Sequence, residues 1–198
     1  QGVAGAYALS QELIETARRR TRQVGALLIF DEVQCGMGRT GQPFAAQLYG
    51  VVPDLLTTAK GLAGGFPSGA VLAKPEVVAG LRIGDLGTTF GGGPMACAMI
   101  EETLAVIHEE GLLARVRRLS ERLRIECRVG PVESVQGEGF LLGLRCKRPA
   151  KEVLAALLAQ GIVTGTSGDP AVLRLLPPLV LEDEHVDRLV EALAGIPA

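Results

Sequence analysis

Residues 26–30 read ALLIF, a short continuous apolar run that stops abruptly at Asp31-Glu32. So brief a run suits a strand covered on both faces, as in a buried parallel sheet. The stretch before it, QELIETARRRTRQVG (11–25), has apolar residues at helix spacing, arginines late and Gly25 as a stop. A second strand is expected at SGAVLA (68–73), after the glycine-bearing KGLAGGFP. Helix, strand, loop and strand in this order predict an α/β sheet with helices on its faces. Ligands of open sheets of this kind bind outside the carboxyl ends of the strands, and Asp31 falls at such an end.

A long helix is expected from Pro94 to about Gly111, with a second, LLARVRRLSERLRIE, almost at once after it. Beyond, the pattern changes. GFLLGLRC (139–146) alternates like a strand with one face covered, and KEVLAALLAQG reads as an amphipathic helix. VLRLLP predicts another short strand, and EDEHVDRLVEALAG a last helix ending at Gly195. The change of character puts a lobe boundary near residue 112, giving lobes 1–111 and 112–198.

Several classes of function are disfavoured. The 20 basic and 22 acidic side chains leave a net charge of −2 with no basic stripe, and aromatics are 4% with no Trp, so nucleic acid is not the expected partner. No apolar run approaches the roughly 20 residues that cross a bilayer, and no signal peptide is evident. Cys35, Cys97, Cys127 and Cys146 lie far apart without a CxxC pair, so buried free thiols in a reducing cytoplasm are expected rather than a metal site. His108 and His185 read as surface residues. The opening on Gln1 in QGVAG, without an initiator Met, reads as a sequence cut in mid-motif.

Two residues carry the chemistry. A carboxylate at the tip of an apolar strand needs a cation or hydrogen bonds. Asp31 therefore suits either the acidic pair of a Walker-type nucleotide hydrolase or the partner of a protonated pyridine nitrogen. No GxxxxGK[ST] phosphate loop occurs in this chain. Lys60 sits in TTAKGLAGGFPSG, among small residues that let backbone approach a ligand closely. A lysine there suits a Schiff-base nucleophile, which needs part of its amine neutral; the plain alternative is an exposed loop lysine.

LLIFDEVQCGMGRTG, PDLLTTAKGLAGGFPSGAVLA and GTTFGGGPMACA, in this order, resemble the class III (ornithine/acetylornithine-type) aminotransferases. The 29 positions from Asp31 to Lys60 match the family's spacing. The strong resemblance covers residues 24–98 and a looser one the whole chain. It implies a fold-type I aminotransferase: part of the large-domain sheet with its helices, plus a small C-terminal α/β domain. GMGRTG and the GTTFGGGP segment most resemble the acetylornithine branch, which implies transamination between N2-acetylornithine and 2-oxoglutarate in arginine biosynthesis.

The resemblance also implies roles. Lys60 would hold pyridoxal 5′-phosphate covalently and, once freed, act as general base and acid. Asp31 would keep the pyridine nitrogen protonated, so the ring can draw electrons. Gln34 would donate to the phenolic oxygen and Val33 would pack on the ring face; Glu32 is left open between a functional and a structural charge. Thr89, or Thr88 in the alternative register, would contact the phosphate of a neighbouring subunit, implying a homodimer with shared sites. Arg174, before a Pro-Pro pair, would fork onto a substrate carboxylate. The arginines of RRRTR and RVRR read as solvated helix faces.

One departure stands out. Where relatives often read QGEGG this chain has QGVAG, so Val3 replaces a glutamate that pairs with the substrate arginine in ornithine-type members. The family's phosphate loop, its ring-stacking aromatic and an N-terminal substrate arginine belong upstream of Gln1. The expectation is therefore a cytoplasmic enzyme of which this piece is inactive alone. The other readings kept open are a related class III activity (ornithine, 4-aminobutyrate or succinyldiaminopimelate), a Walker-type hydrolase, and a catalytically dead subunit.

Overall fold

The computed structural model describes residues 1–198. It divides into a first unit, Ser10–Met37 with Gln42–Gly111, and a second, Gln1–Leu9 and Gly38–Gly41 with Leu112–Ala198. The short helix α1 (Gly2–Gly5) thus packs with the second unit, as does part of the GMGRTG segment. These compact units differ from the expected division into 1–111 and 112–198 only in where residues 1–9 and 38–41 are grouped.

The first unit opens with α2 (Gln11–Val24), started by Ser10, whose Oγ accepts from the Leu13 N–H at 3.3 Å, and stopped by Gly25 at φ 68°. Strand β1 (Ile29–Asp31) follows, then the short helix α3 (Ala46–Tyr49) and β2 (Leu55–Ala59). A tight helical turn, Lys60–Ala63, leads towards β3 (Gly69–Ala73), which is followed by α4 (Pro75–Val78) and α5 (Pro94–Glu109). The sheet order is β1-β2-β3, with β1 and β2 parallel and β3 antiparallel to β2.

Strand β2 was not singled out by the sequence pattern, because LLTTA mixes threonines into a run too short to alternate clearly. The expected burial of ALLIF is also corrected. Only its last two residues join β1, and Leu27 and Ile29 are exposed. β1 is an edge strand with one neighbour in this sheet, and no segment of this chain packs over Leu27 and Ile29. The solvated reading of RRRTR fails at Arg18. Its guanidinium meets Asp54 at 2.8 Å, with both side chains largely buried.

Asp54 explains how the start of β2 is held. It accepts from the Leu28 N–H at 2.8 Å, from Lys74 Nζ at 2.9 Å and from Arg18. The backbone donor and the two cations hold its carboxyl well below the usual carboxylate range.

In the second unit α6 (Leu112–Glu126) leads into the hairpin β4 (Val132–Glu138) and β5 (Leu141–Cys146). Then come α7 (Ala150–Ala159), β6 (Gly165–Thr166), β7 (Val172–Leu175) and α8 (Asp183–Ala194). The sheet is antiparallel throughout, in order β4-β5-β7-β6. Its core gathers Leu142, Leu144 and Leu173 from the strands with Val116, Leu119 and Leu123 of α6, Val153 and Leu157 of α7, and Val186 and Leu193 of α8. The helix positions recur at three and four residues, one face of a helix.

Strand β5 was expected to be covered on one face; it is covered on both. Leucines of β5 and β7 meet the core, while over Gly143 the residues before Leu9 close in: a Cβ there would come within 2.6 Å of the Gly5 carbonyl oxygen. Gln136 Nε2 donates to that same carbonyl at 2.6 Å. The hairpin tip is equally tight. Gly139, at φ 54°, lies against the Arg39-Thr40 backbone, and Phe140 N donates to Arg39 O at 2.8 Å.

The arginines of RVRR all have partners, although Arg117 and Arg118 remain exposed as expected. Arg117 donates to Gly41 O at 2.5 Å, while Arg115 pairs with Glu182 and Arg118 with Asp183. Cys127 and Cys146 are buried as expected, but Cys35 is half-buried and Cys97 exposed on α5. His108 is exposed, and exposed His185 accepts from the Glu182 N–H at the start of α8.

Candidate active site

Parallel pairing sets Asp31 opposite Thr57, and the ladder continues from Glu32 N to Thr57 O at 2.9 Å. The carboxyl ends of β1 and β2 therefore lie on one edge of the sheet. Lys60 follows the last residue of β2 directly, so Asp31 and Lys60 share that edge. Asp31 Oδ1 accepts from the Val33 N–H at 3.1 Å and from Thr57 Oγ1 at 3.2 Å; Oδ2 has no partner. The side chain is exposed, where the sequence pattern suggested a poorly solvated strand tip. No segment of this chain covers it there.

Lys60 is one of three non-glycine residues with positive φ, at 51°. Such a conformation costs about 1–3 kcal/mol and persists only where the surroundings impose it. The chain turns at once out of extended Ala59 into the tight turn Lys60–Ala63, which buries Leu62 and Ala63 beneath it. The amine is exposed and makes no hydrogen bond or ion pair. Nothing in this chain desolvates it.

Glu32, the other member of the acidic pair, is placed differently. Only 2% exposed, its carboxylate accepts from the N–H groups of Ala45 at 2.5 Å and Ala46 at 2.7 Å, at the entrance of α3. Burial pushes its carboxyl above the usual range, against the opposing effect of those donors. Val33 and Gln34, just beyond, are half-buried. Cys35 lies 3.9 Å from Glu32 Oε2, and burial with that neighbouring carboxylate pushes its thiol up to about 11.

Thr88 and Thr89 both lie in an exposed loop. Thr88 Oγ accepts from the Gly91 N–H at 3.3 Å, closing a small turn, and Thr89 is free of partners.

Arg174, in the second unit, stands on β7 between Gly143 of β5 and Gly165 of β6. Directly paired residues point to the same face, so both cross-strand neighbours lack a side chain beside it. Its Nε and Nη1 are buried without a hydrogen-bond partner, as is Thr164 Oγ1. Buried donors of this kind are costly unless an acceptor meets them. Val3 is held near this sheet through its carbonyl, which accepts from the Gly168 N–H at 2.8 Å. Its side chain offers no acceptor.

These features fit pyridoxal phosphate. A protonated ring nitrogen calls for a carboxylate, and Asp31 has one oxygen braced and one free. An aldehyde carbon calls for an unpaired amine, and Lys60 has one on the same edge. Thr57 is the residue that sequence reasoning missed. Its role as a donor to Asp31 depends on the parallel register of two strands, which no local pattern reveals. No group of three His, Cys, Asp or Glu side chains is placed to hold a metal ion, and no helix is long and apolar enough to cross a membrane.

Comparison with known proteins places the chain in a family. The profile of the family described as Aminotransferase class-III matches residues 1–196. The acetylornithine aminotransferase of Methanocaldococcus jannaschii is 39% identical over 98% of this chain and 50% of its own length. Among solved structures, acetylornithine aminotransferase from Elizabethkingia anophelis superposes with a TM-score of 0.90 at 31% identity, covering 98% of this chain and 53% of that one. Ornithine aminotransferase from Toxoplasma gondii ME49 gives 0.88 at 32% identity, covering 96% and 47%. The chain thus spans about half the length of the curated relatives it matches. Its fold is that of the fold-type I aminotransferases, and the chain belongs to the class III aminotransferase family.

Proposed function

We propose that this chain is the C-terminal half of a pyridoxal-phosphate-dependent transaminase that moves an amino group between N2-acetylornithine and 2-oxoglutarate. The observation that carries the proposal is the pair on one sheet edge: Asp31 with a free carboxylate oxygen and Lys60 with an unpaired amine. Residues 1–9, 38–41 and 112–198 make up the small domain and the remainder belongs to the large one.

The residues divide the work. Pyridoxal phosphate, when bound, supplies the electron sink for breaking the substrate C–H bond. Lys60 Nζ would hold the cofactor covalently and, as a free amine, would carry the substrate proton as base and then acid. Asp31 keeps a proton on the ring nitrogen, with Thr57 and the Val33 N–H orienting its carboxylate. Val33 and Gln34 face the ring and its phenolic oxygen. Thr89, exposed and unpartnered, takes a phosphate across a homodimer, with Thr88 as the alternative. Arg174 binds a substrate carboxylate, the acceptor its buried guanidinium nitrogens lack. The enzyme would work in the cytoplasm on free amino and oxo acids.

The substrate reading rests on the relatives' names and on Val3. Without an acid beside Arg174, a carboxylate can stay bound in both half-reactions. The α-carboxylate of acetylornithine lies far from its reacting δ-amine, and 2-oxoglutarate carries one at comparable reach. Two experiments on the complete enzyme test this. Borohydride reduction and peptide mapping should mark Lys60; an adduct elsewhere, with none at Lys60, overturns the cofactor assignment. kcat/KM for acetylornithine, ornithine, 4-aminobutyrate and succinyldiaminopimelate should favour the first. A tenfold lead for ornithine or 4-aminobutyrate, about 1.4 kcal/mol, overturns the substrate while sparing the transaminase.

A further inference from the structure

The acidic pair Asp31-Glu32 is two carboxylates with opposite surroundings. Asp31 is exposed with an oxygen to spare, whereas Glu32 is buried and spends both its oxygens on backbone N–H groups. Those donors, Ala45 and Ala46, lie thirteen and fourteen residues further along the chain. The Glu32 side chain therefore closes the base of the loop that carries Val33 and Gln34.

The same residue pins the loop a second time through its backbone. Gly36 N donates to Glu32 O at 3.0 Å, and a Cβ on Gly36 would come within 2.7 Å of that oxygen and 3.1 Å of Phe44 Cδ1. One residue earlier, Asp31 Oδ1 takes the Val33 N–H. Val33 and Gln34 are thus fixed from both sides by a turn whose pivot is Glu32.

We propose that Glu32 is a positioning residue, whose carboxylate bound to the Ala45 and Ala46 N–H groups sets where Gln34 presents its side-chain amide to the cofactor. This rests on the proposed role of Gln34 at the phenolic oxygen. A carboxylate suits the task because it accepts at both oxygens. A glutamine in its place would turn an NH2 group towards one of two N–H donors and open the loop base. The raised carboxyl of Glu32 has the same origin, the burial that this closure requires.

The test uses the complete holoenzyme and two variants, Glu32→Gln and Gln34→Ala, with their double variant. The readout is the pH at which the bound cofactor's absorption band changes. Loss of a donor to the phenolic oxygen should move that pH upward in Gln34→Ala. Glu32→Gln should move it the same way, and the double variant no further than Gln34→Ala alone. Hydrogen exchange at the Ala45 and Ala46 amides should quicken in Glu32→Gln even without cofactor. If Glu32→Gln does not fold, Glu32→Asp, which withdraws the charge by one methylene, is read in the same way. A shifted band in Gln34→Ala with an unchanged one in the Glu32 variant overturns the positioning role alone. An unchanged band in Gln34→Ala overturns the role of Gln34, and this proposal with it.

Discussion

In the first unit β1, β3 and α5 have no buried residue and only β2 is buried at alternate positions; in the second, β5 and β7 are buried almost throughout. Both units are rich in Leu and Val, so hydrophobicity alone does not explain the contrast. The second unit places helices α6, α7 and α8 with their leucines on one face of its sheet and folds residues 1–9 over the other. The first leaves Val71 and Leu72 of β3, and Met95 and Leu104 of α5, open. The expected consequence is a division of labour. Stability resides where the core is closed, and the groups proposed to meet the cofactor, Asp31 and Lys60, stand on the less covered sheet, where they keep unpartnered polar atoms.

The comparison can be broken at four points, the first being chemical. Asp31→Asn in the complete enzyme should retain cofactor yet lose transamination by roughly 10³-fold, about 4 kcal/mol. Near-normal half-reaction rates would show that the exposed carboxylate does not serve the ring nitrogen.

The second point sets the cores against each other. Phe140, fully buried at the hairpin tip, should cost about 3–5 kcal/mol of unfolding free energy on truncation to Ala. Leu72→Ala, on the open β3, should cost under about 1 kcal/mol, because little apolar area is withdrawn from water there. Equal losses in denaturant melts would mean that the exposed sheet is covered in the complete protein.

Arg174 sharpens the contrast, being the proposed carboxylate-binding group and standing on the well-packed sheet. Arg174→Gln should raise KM for 2-oxoglutarate roughly 10- to 100-fold, about 1.4–2.8 kcal/mol, while changing the melting temperature little. A fall in kcat at constant KM would argue for a role other than carboxylate binding.

The smallest effect concerns Asp54. Its carboxyl is depressed in the folded protein, so its ion pairs contribute stability that is full above the unfolded value, about 3.9, and is lost as pH falls through the folded value below it. Asp54→Asn should therefore melt earlier than the parent at neutral pH. The gap should hold down to about pH 4 and narrow only under stronger acid. A gap that narrows between pH 8 and 6 would exclude Asp54 as its source.

The five long helices were legible in the sequence because each carries its own signals, whereas the four-residue α1, α3 and α4 were not. Ser10 and Gly25 bracket α2, Pro94 opens α5, and the leucines of α6 recur on one face. Strands were legible only where apolar runs stood out, so β2 and β4 went unseen: LLTTA has its threonines, and VESVQGE alternates with glutamate and glutamine. In the candidate site, Asp31 and Lys60 were conspicuous through their settings, an apolar run ending in acid and a lysine among glycines. Thr57 was not, since its meaning comes from a strand 26 positions away from Asp31.

The sequence by itself determined the family, the limits of the long helices and the residue types available for chemistry, because these follow from local patterns and motif spacing. Tertiary structure decided what each charge does. Glu32 and Asp31 are neighbours of one type, yet one is buried beneath two backbone donors and the other stands open at a sheet edge. Arg18 and Arg20 share one helix, yet only Arg18 reaches Asp54. Burial and the supply of hydrogen-bond partners depend on chain segments far apart in sequence. A carboxylate or guanidinium takes its energy from those surroundings, so its role is settled only once they have been brought together.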